Sequence, residues 1–143
     1  MLMKKLFLYI LMTFTLFVNV FAAEDIQVVL EHPIDKAEQE CISKTSDTQV
    51  MNQCSITAQN AWEKEIKKTL SQLKSVLDKE SYKSLIKSQN DWERYKFDEF
   101  EAIGNMLKDK QGTMYLNVDN GLKVDIVRQR ALQLQEYLKT IND

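Results

Sequence analysis

The stretch Asp47–Leu77, DTQVMNQCSITAQNAWEKEIKKTLSQLKSVL, decides the fold of this 143-residue chain. Apolar or small residues recur in it at Met51, Cys54, Ala58, Ala61/Trp62, Ile66, Thr69/Leu70, Leu73 and Val76/Leu77. Steps of three and four residues lay these side chains along one stripe of an α-helix. Asp47 stands where a helix N-cap is wanted, and Glu63, Lys64, Lys67 and Lys68 fall on the opposite, solvated face. A helix with one apolar stripe buries it only against another element, so further helices must cover this one.

Downstream, Asp78-Lys79-Glu80-Ser81 interrupts the stripe, and Ser81 is placed to cap a second helix. Its inner face reads Tyr82, Leu85/Ile86, Gln89, Trp92, Lys96, Phe100, Ile103 and Leu107. Two long helices joined by a tight connection lie antiparallel. Lys108–Gly121 holds Gly112, Gly121, Asn117 and Asn120, with Thr113, Tyr115 and Asn117 alternating and no helical stripe, and reads as an ordered loop. A last helix is expected from near Asp119, carrying Leu122, Ile126/Val127, Arg130, Leu134, Tyr137/Leu138 and Ile141. Three glycines and one proline are far too little turn chemistry for a multi-stranded β protein. The fold class is therefore all-α, a small up-down bundle of three main helices plus a short N-terminal helix, in a single domain over residues 35–143.

Upstream, the short helix is expected from about Asp35 to Lys44. Residues 23–34, ending in His32-Pro33, read as an extended N-terminal arm with one short strand at Ile26–Leu30. The first 22 residues follow the pattern of a secretory signal peptide: Lys4 and Lys5, an apolar run from Leu6 to Val18, then Val20-Phe21-Ala22 with small residues at −3 and −1 of a cleavage site. Thr13, Thr15 and Asn19 interrupt the run, which is short for a membrane span of about 20 residues. Cleavage after Ala22 places the mature chain in the periplasm or outside the cell, with no stable membrane insertion. An exported chain meets oxidising conditions, so its two cysteines, Cys41 and Cys54, are expected to pair and to staple the short helix to the next one.

The mature chain keeps 17 basic against 21 acidic residues, which gives it no net attraction for nucleic acid or anionic lipid. The charge is unevenly spread. Glu24–Glu40 holds six acids and one base, whereas Glu63–Lys87 holds four acids and seven bases. Such runs are read first as solvated faces, and a charged exterior of this kind suits a monomer.

Catalytic chemistry has little to work with. His occurs once, at His32 beside Pro33, so Ser-His or Cys-His hydrolysis is not expected. There is no Gly-rich phosphate loop, calcium loop or His/Cys metal cluster, and neither metal nor other cofactor is expected. Carboxylate pairs such as Asp91/Glu93 and Asp98/Glu99 fall on helix faces and read as surface. Two features of the stripes stand out. Gln89 and Trp92 lie one turn apart on an inward face, and Arg130 falls between Val127 and Leu134 on another. A buried Arg is costly unless paired, so Arg130 is read as a structural tie to Gln89, a carboxylate or backbone carbonyls, its stem against Trp92, in preference to a polar pocket. Gly112-Thr113-Met114-Tyr115 offers a loop suited either to a partner's cleft or to covering the open end of the bundle.

Taken in order, Cys41, Met51-Asn52-Gln53-Cys54, Ala61-Trp62-Glu63-Lys64-Glu65-Ile66, Leu73, Leu77, Leu85, Ser88-Gln89-Asn90-Asp91-Trp92, Tyr95-Lys96, Gly112-Thr113 and Val127-x-x-Arg130-x-x-x-Leu134 make the chain resemble the exported domain family named for the lysozyme inhibitor LprI. The similarity spans about residues 38–138. Many members carry two further cysteines, at about the places of Phe100 and Leu122 here, which implies a packed apolar pair in place of a second disulfide. The usual Thr before the Arg is Val127. The resemblance implies a non-enzymatic protein-binding function, with a C-type lysozyme as partner. Since such lysozymes are basic, Asp98 and Glu99 within an acidic 91–101 segment, together with Gly112, Thr113, Met114 and Tyr115, are the candidate contact residues. The alternative is a structural or adaptor module that binds another envelope protein.

Overall fold

The computed structural model describes residues 32–143. The signal peptide, the strand at 26–30 and most of the arm lie outside the described residues. Within them the chain forms four α-helices and no strand: α1 (Pro33–Ser43), α2 (Thr48–Val76), α3 (Lys79–Leu107) and α4 (Met114–Asn142). Ala37–Asp143 forms one compact unit. Helix α1 begins two residues earlier than the sequence reading placed it, because Pro33, which has no N–H to satisfy, takes the first helical position.

Local chemistry sets the remaining helix ends. The Asp47 side chain accepts from the Gln49 N–H at 2.8 Å and opens α2. Helix α2 closes at Leu77, whose extended backbone still donates to the Leu73 carbonyl at 3.0 Å. Asp78, and not Ser81, then caps α3. Its carboxylate accepts from the backbone of Glu80 and Ser81, at 2.9 and 3.0 Å, and from the Ser81 hydroxyl at 2.6 Å. A carboxylate takes two N–H groups where a hydroxyl takes one, so the cap moves upstream and the connection shrinks to Leu77-Asp78.

The bundle runs up-down-up. Contacts between α2 and α4 join residues at nearly constant sequence offset, Thr48 to Thr113, Asn52 to Asn120 and Glu65 to Gln135, so these two helices are parallel. Gln89 meets Arg130 while Phe100 meets Lys123, which makes α3 antiparallel to α4. The core lies between α2 and α4. Cys54, Ala58, Trp62, Ile66 and Leu73 of α2 are buried against Val124, Val127, Ala131 and Leu134 of α4, and Trp62, Leu73, Val127, Ala131 and Leu134 are wholly inaccessible. Fully burying side chains of this size contributes about 1.5–3 kcal/mol each. Helix α3 adds only Ile103 and Gln89 to the buried set and otherwise covers the pair with half-buried side chains.

Two expectations are corrected here. Residues 114–121 are helix, not loop, and the true connection is 108–113, with Gly112 at φ +102° in the left-handed region that a glycine adopts without strain. The first turns of α4 turn polar residues inward: Asn120 donates to Asn52 at 3.0 Å, and the Asn117 amide lies 3.6 Å from the Met51 sulfur. With Asn117, Asn120 and Gly121 at the inward spacing, no apolar stripe marks the helix. Second, Leu122 is 43% exposed and is not a buried residue. It is the Lys123 ammonium, 5.7 Å from the ring centroid, that covers Phe100.

Candidate functional site

The disulfide joins Cys41 of α1 to Cys54 of α2 across a Cα separation of 5.8 Å. It anchors the short helix to the buried stripe of α2, where Cys54 is only 3% exposed.

Gln89, Trp92 and Arg130 are brought together on the facing sides of α3 and α4. Arg130 donates from Nε to Gln89 Oε1 at 2.9 Å and from Nη1 to Gln133 Oε1 at 2.5 Å, with its guanidinium carbon 5.9 Å from the Trp92 ring centroid. The Gln89 amide passes the chain on, donating to Glu93 at 3.1 Å. Around this cluster Lys96 bridges helices, its ammonium 2.7 Å from Glu63 of α2, 2.7 Å from Glu93 and 5.0 Å from the Trp92 ring centroid. Burial works against charge on Lys96, but the hydrogen bonds to Glu63 and Glu93 outweigh it and hold its pKa above the ordinary value. Burial lowers that of Arg130, with weaker opposition from Tyr137 and Glu93. Trp92, Tyr95, Ile126, Gln129, Arg130 and Gln133 line a cleft of about 260 Å³.

The residues expected to contact a partner form two places, not one. Gly112, Thr113, Met114 and Tyr115 make the entry to α4. Thr113 donates to the Thr48 hydroxyl at 3.2 Å, and Met114 is 63% exposed. Gly112 and Tyr115 line a cleft of about 340 Å³ with Lys108, Lys110 and the ion-paired Asp119 and Lys123. Asp98 and Glu99 sit on α3 about 12 Å or more along its axis from Leu107, at about 1.5 Å per residue. Of the acids between 91 and 101, Asp91 pairs with Arg94 and Glu93 with Lys96, while Asp98, Glu99 and Glu101 make no ion pair among the described residues. Immediately before Asp98 stands Phe97, 69% exposed. Sequence reasoning passed over it because it lies off the inward stripe. The aromatic at i, with acids at i+1 and i+4, was nonetheless visible in the sequence.

Among the described residues no group of three or more His, Cys, Asp or Glu is placed to hold a metal, and no helix is long and apolar enough to cross a membrane. The family profile described as "Lysozyme inhibitor LprI" matches residues 41–134. No curated protein matches the chain. Among solved structures it is similar to an uncharacterized protein from Burkholderia thailandensis, at 25% identity and a TM-score of 0.72 over 78% of this chain; the match covers 56% of that chain, so this protein corresponds to little more than half of it.

Proposed function

The chain belongs to the lysozyme inhibitor LprI family, and from that premise we propose that it is an exported protein, released by cleavage after Ala22, that inhibits a C-type lysozyme in the periplasm or outside the cell by direct protein–protein contact. Its family is one of inhibitor proteins and not of enzymes. Family membership is the observation that carries the reading. The surface supports it at one place: Phe97 beside Asp98 and Glu101 presents a desolvatable aromatic flanked by carboxylates with no internal ion pair, a chemistry matched to a basic partner.

The test is lysis of whole cell walls by a C-type lysozyme with the purified mature chain added at low and at high salt. Stoichiometric inhibition that weakens with salt is expected, because steering between opposite charges is screened beyond about 10 Å at 0.1 M ionic strength. Phe97→Ala should weaken inhibition about 30-fold or more, the loss typical of an interface hot spot of about 2 kcal/mol. Full lysis in the presence of excess protein would transfer the reading to an adaptor that binds another envelope protein.

A further inference from the structure

Arg130 is only 6% exposed, yet among the described residues it makes no ion pair or hydrogen bond with a carboxylate, its bonds going to Gln89 and Gln133. Glu63 and Glu93 each pair with Lys96 at 2.7 Å, and Glu93 also accepts from the Gln89 amide at 3.1 Å. The tie to Gln89 occupies Nε, and Nη1 is held by the amide oxygen of Gln133, a surface residue. Nη2 is buried and has no hydrogen-bond partner. A buried cationic N–H without an acceptor is expensive, and a structural tie to α3 needs only the Nε contact. The remaining edge of the guanidinium, Nη1 and Nη2, is a fork whose natural complement is a carboxylate accepting two parallel hydrogen bonds. Gln133 offers one neutral oxygen in that position.

The walls of the cleft narrow the ligand. Its volume of about 260 Å³ has room for one or two amino-acid residues, with Trp92, Tyr95 and Ile126 as an apolar floor and the amides of Gln129 and Gln133 at its edge. We propose that this α3–α4 cleft is a carboxylate-binding site for a short peptide segment, in which Gln133 swings out and Arg130 clamps the carboxylate beside the Trp92 ring. The carboxylate comes either from an acidic side chain or from a free chain end. The site is independent of lysozyme inhibition, since it lies on Arg130 and not on Phe97.

Three blocked peptides separate the sources: Ac-Ala-Glu-Ala-NH2, Ac-Ala-Ala-Ala-OH and the carboxylate-free Ac-Ala-Gln-Ala-NH2. Each is titrated into the mature disulfide-bonded chain while the Arg130 Nε–Hε and Trp92 indole resonances are followed by NMR. Saturable shifts at both groups are expected with at least one carboxylate peptide, with a Kd on the order of 1 mM as suits a small contact, and none with the Gln peptide. Gln133→Ala, which removes the competing amide at the surface, should tighten binding several-fold, and Gln133→Glu, which supplies an internal carboxylate, should weaken it about tenfold or more. Neither variant removes a buried group, so both are expected to fold. Absence of saturable shifts, equal shifts with the Gln peptide, or indifference to both Gln133 variants would overturn the proposal and leave Arg130 as a tie alone.

Discussion

At the scale of single residues, Thr69 works against the core it belongs to. The Thr69 side chain is wholly buried on the α2 stripe, and its hydroxyl has no hydrogen-bond partner. Leaving a buried hydroxyl unsatisfied costs about 1–3 kcal/mol, and replacing it by an apolar group of the same shape recovers that cost. Thr69→Val should therefore stabilise the protein by about 1 kcal/mol. Urea unfolding checks this through a higher midpoint at unchanged slope; an unchanged or lower midpoint would mean that the hydroxyl is satisfied in solution. Arg130 shows the opposite balance, a costly buried cation retained where one end bonds to Gln89 and the other end faces a cleft.

At the scale of the helices, caps carry a measurable share of the design. Hydrogen bonds from the Ser81 hydroxyl, then from the Ser81 backbone, hold the Asp78 carboxyl below its ordinary pKa. A group depressed in the folded state gives stability that is present above its unfolded value, about 3.9 for Asp, and is lost as the pH falls through the folded value. The melting temperature should accordingly fall below about pH 4. Asp78→Asn keeps a capping oxygen but cannot titrate, so it should flatten that part of the profile. Equal acid slopes in the two proteins would show that the cap is not the group being titrated. The same helix end displays why capping was partly misread from the sequence: both Asp78 and Ser81 are capping residues, and only the path of the chain out of Leu77 puts the former at the terminus.

At the scale of the whole molecule, one covalent link joins the edge to the core. The Cys41–Cys54 disulfide closes a loop spanning a sequence separation of 13, and in the chain-entropy model such a loop contributes about 3 kcal/mol. Replacing both cysteines by serine should lower stability by about that amount, and mass spectrometry without reductant should find the native chain two hydrogens lighter than its reduced form. Two free thiols would refute the link, and an unchanged unfolding midpoint in the variant would show that α1 contributes nothing to the stability of the bundle. The parallel α2–α4 pair then carries the apolar core, and α3, with only Ile103 and Gln89 buried, covers it with half-buried side chains such as Trp92 and displays Tyr95 and Phe97 on its outer side.

What the sequence by itself determined is the set of features whose physics is local or periodic. The α2 stripe, the Asp47 cap, the low Gly and Pro content and the Cys pair all follow from spacing and residue type, and the stripe from Cys54 to Leu73 is buried as its period requires. The start of α4 escaped because its inward face is Asn117, Asn120 and Gly121, whose helical role exists only once Met51 and Asn52 stand opposite. Leu122 was misplaced for a related reason: periodicity tells that a residue shares a face, and only packing tells which residue, here Lys123, covers the neighbouring ring. The cluster of Gln89, Trp92 and Arg130 was visible as polar residues on apolar stripes. Gln133 stands three residues beyond Arg130 on the same helix, a spacing the chain itself shows; that Gln89 takes the Nε–H while one guanidinium N–H is left over depended on α3 and α4 meeting in space, which no pattern along a single chain encodes.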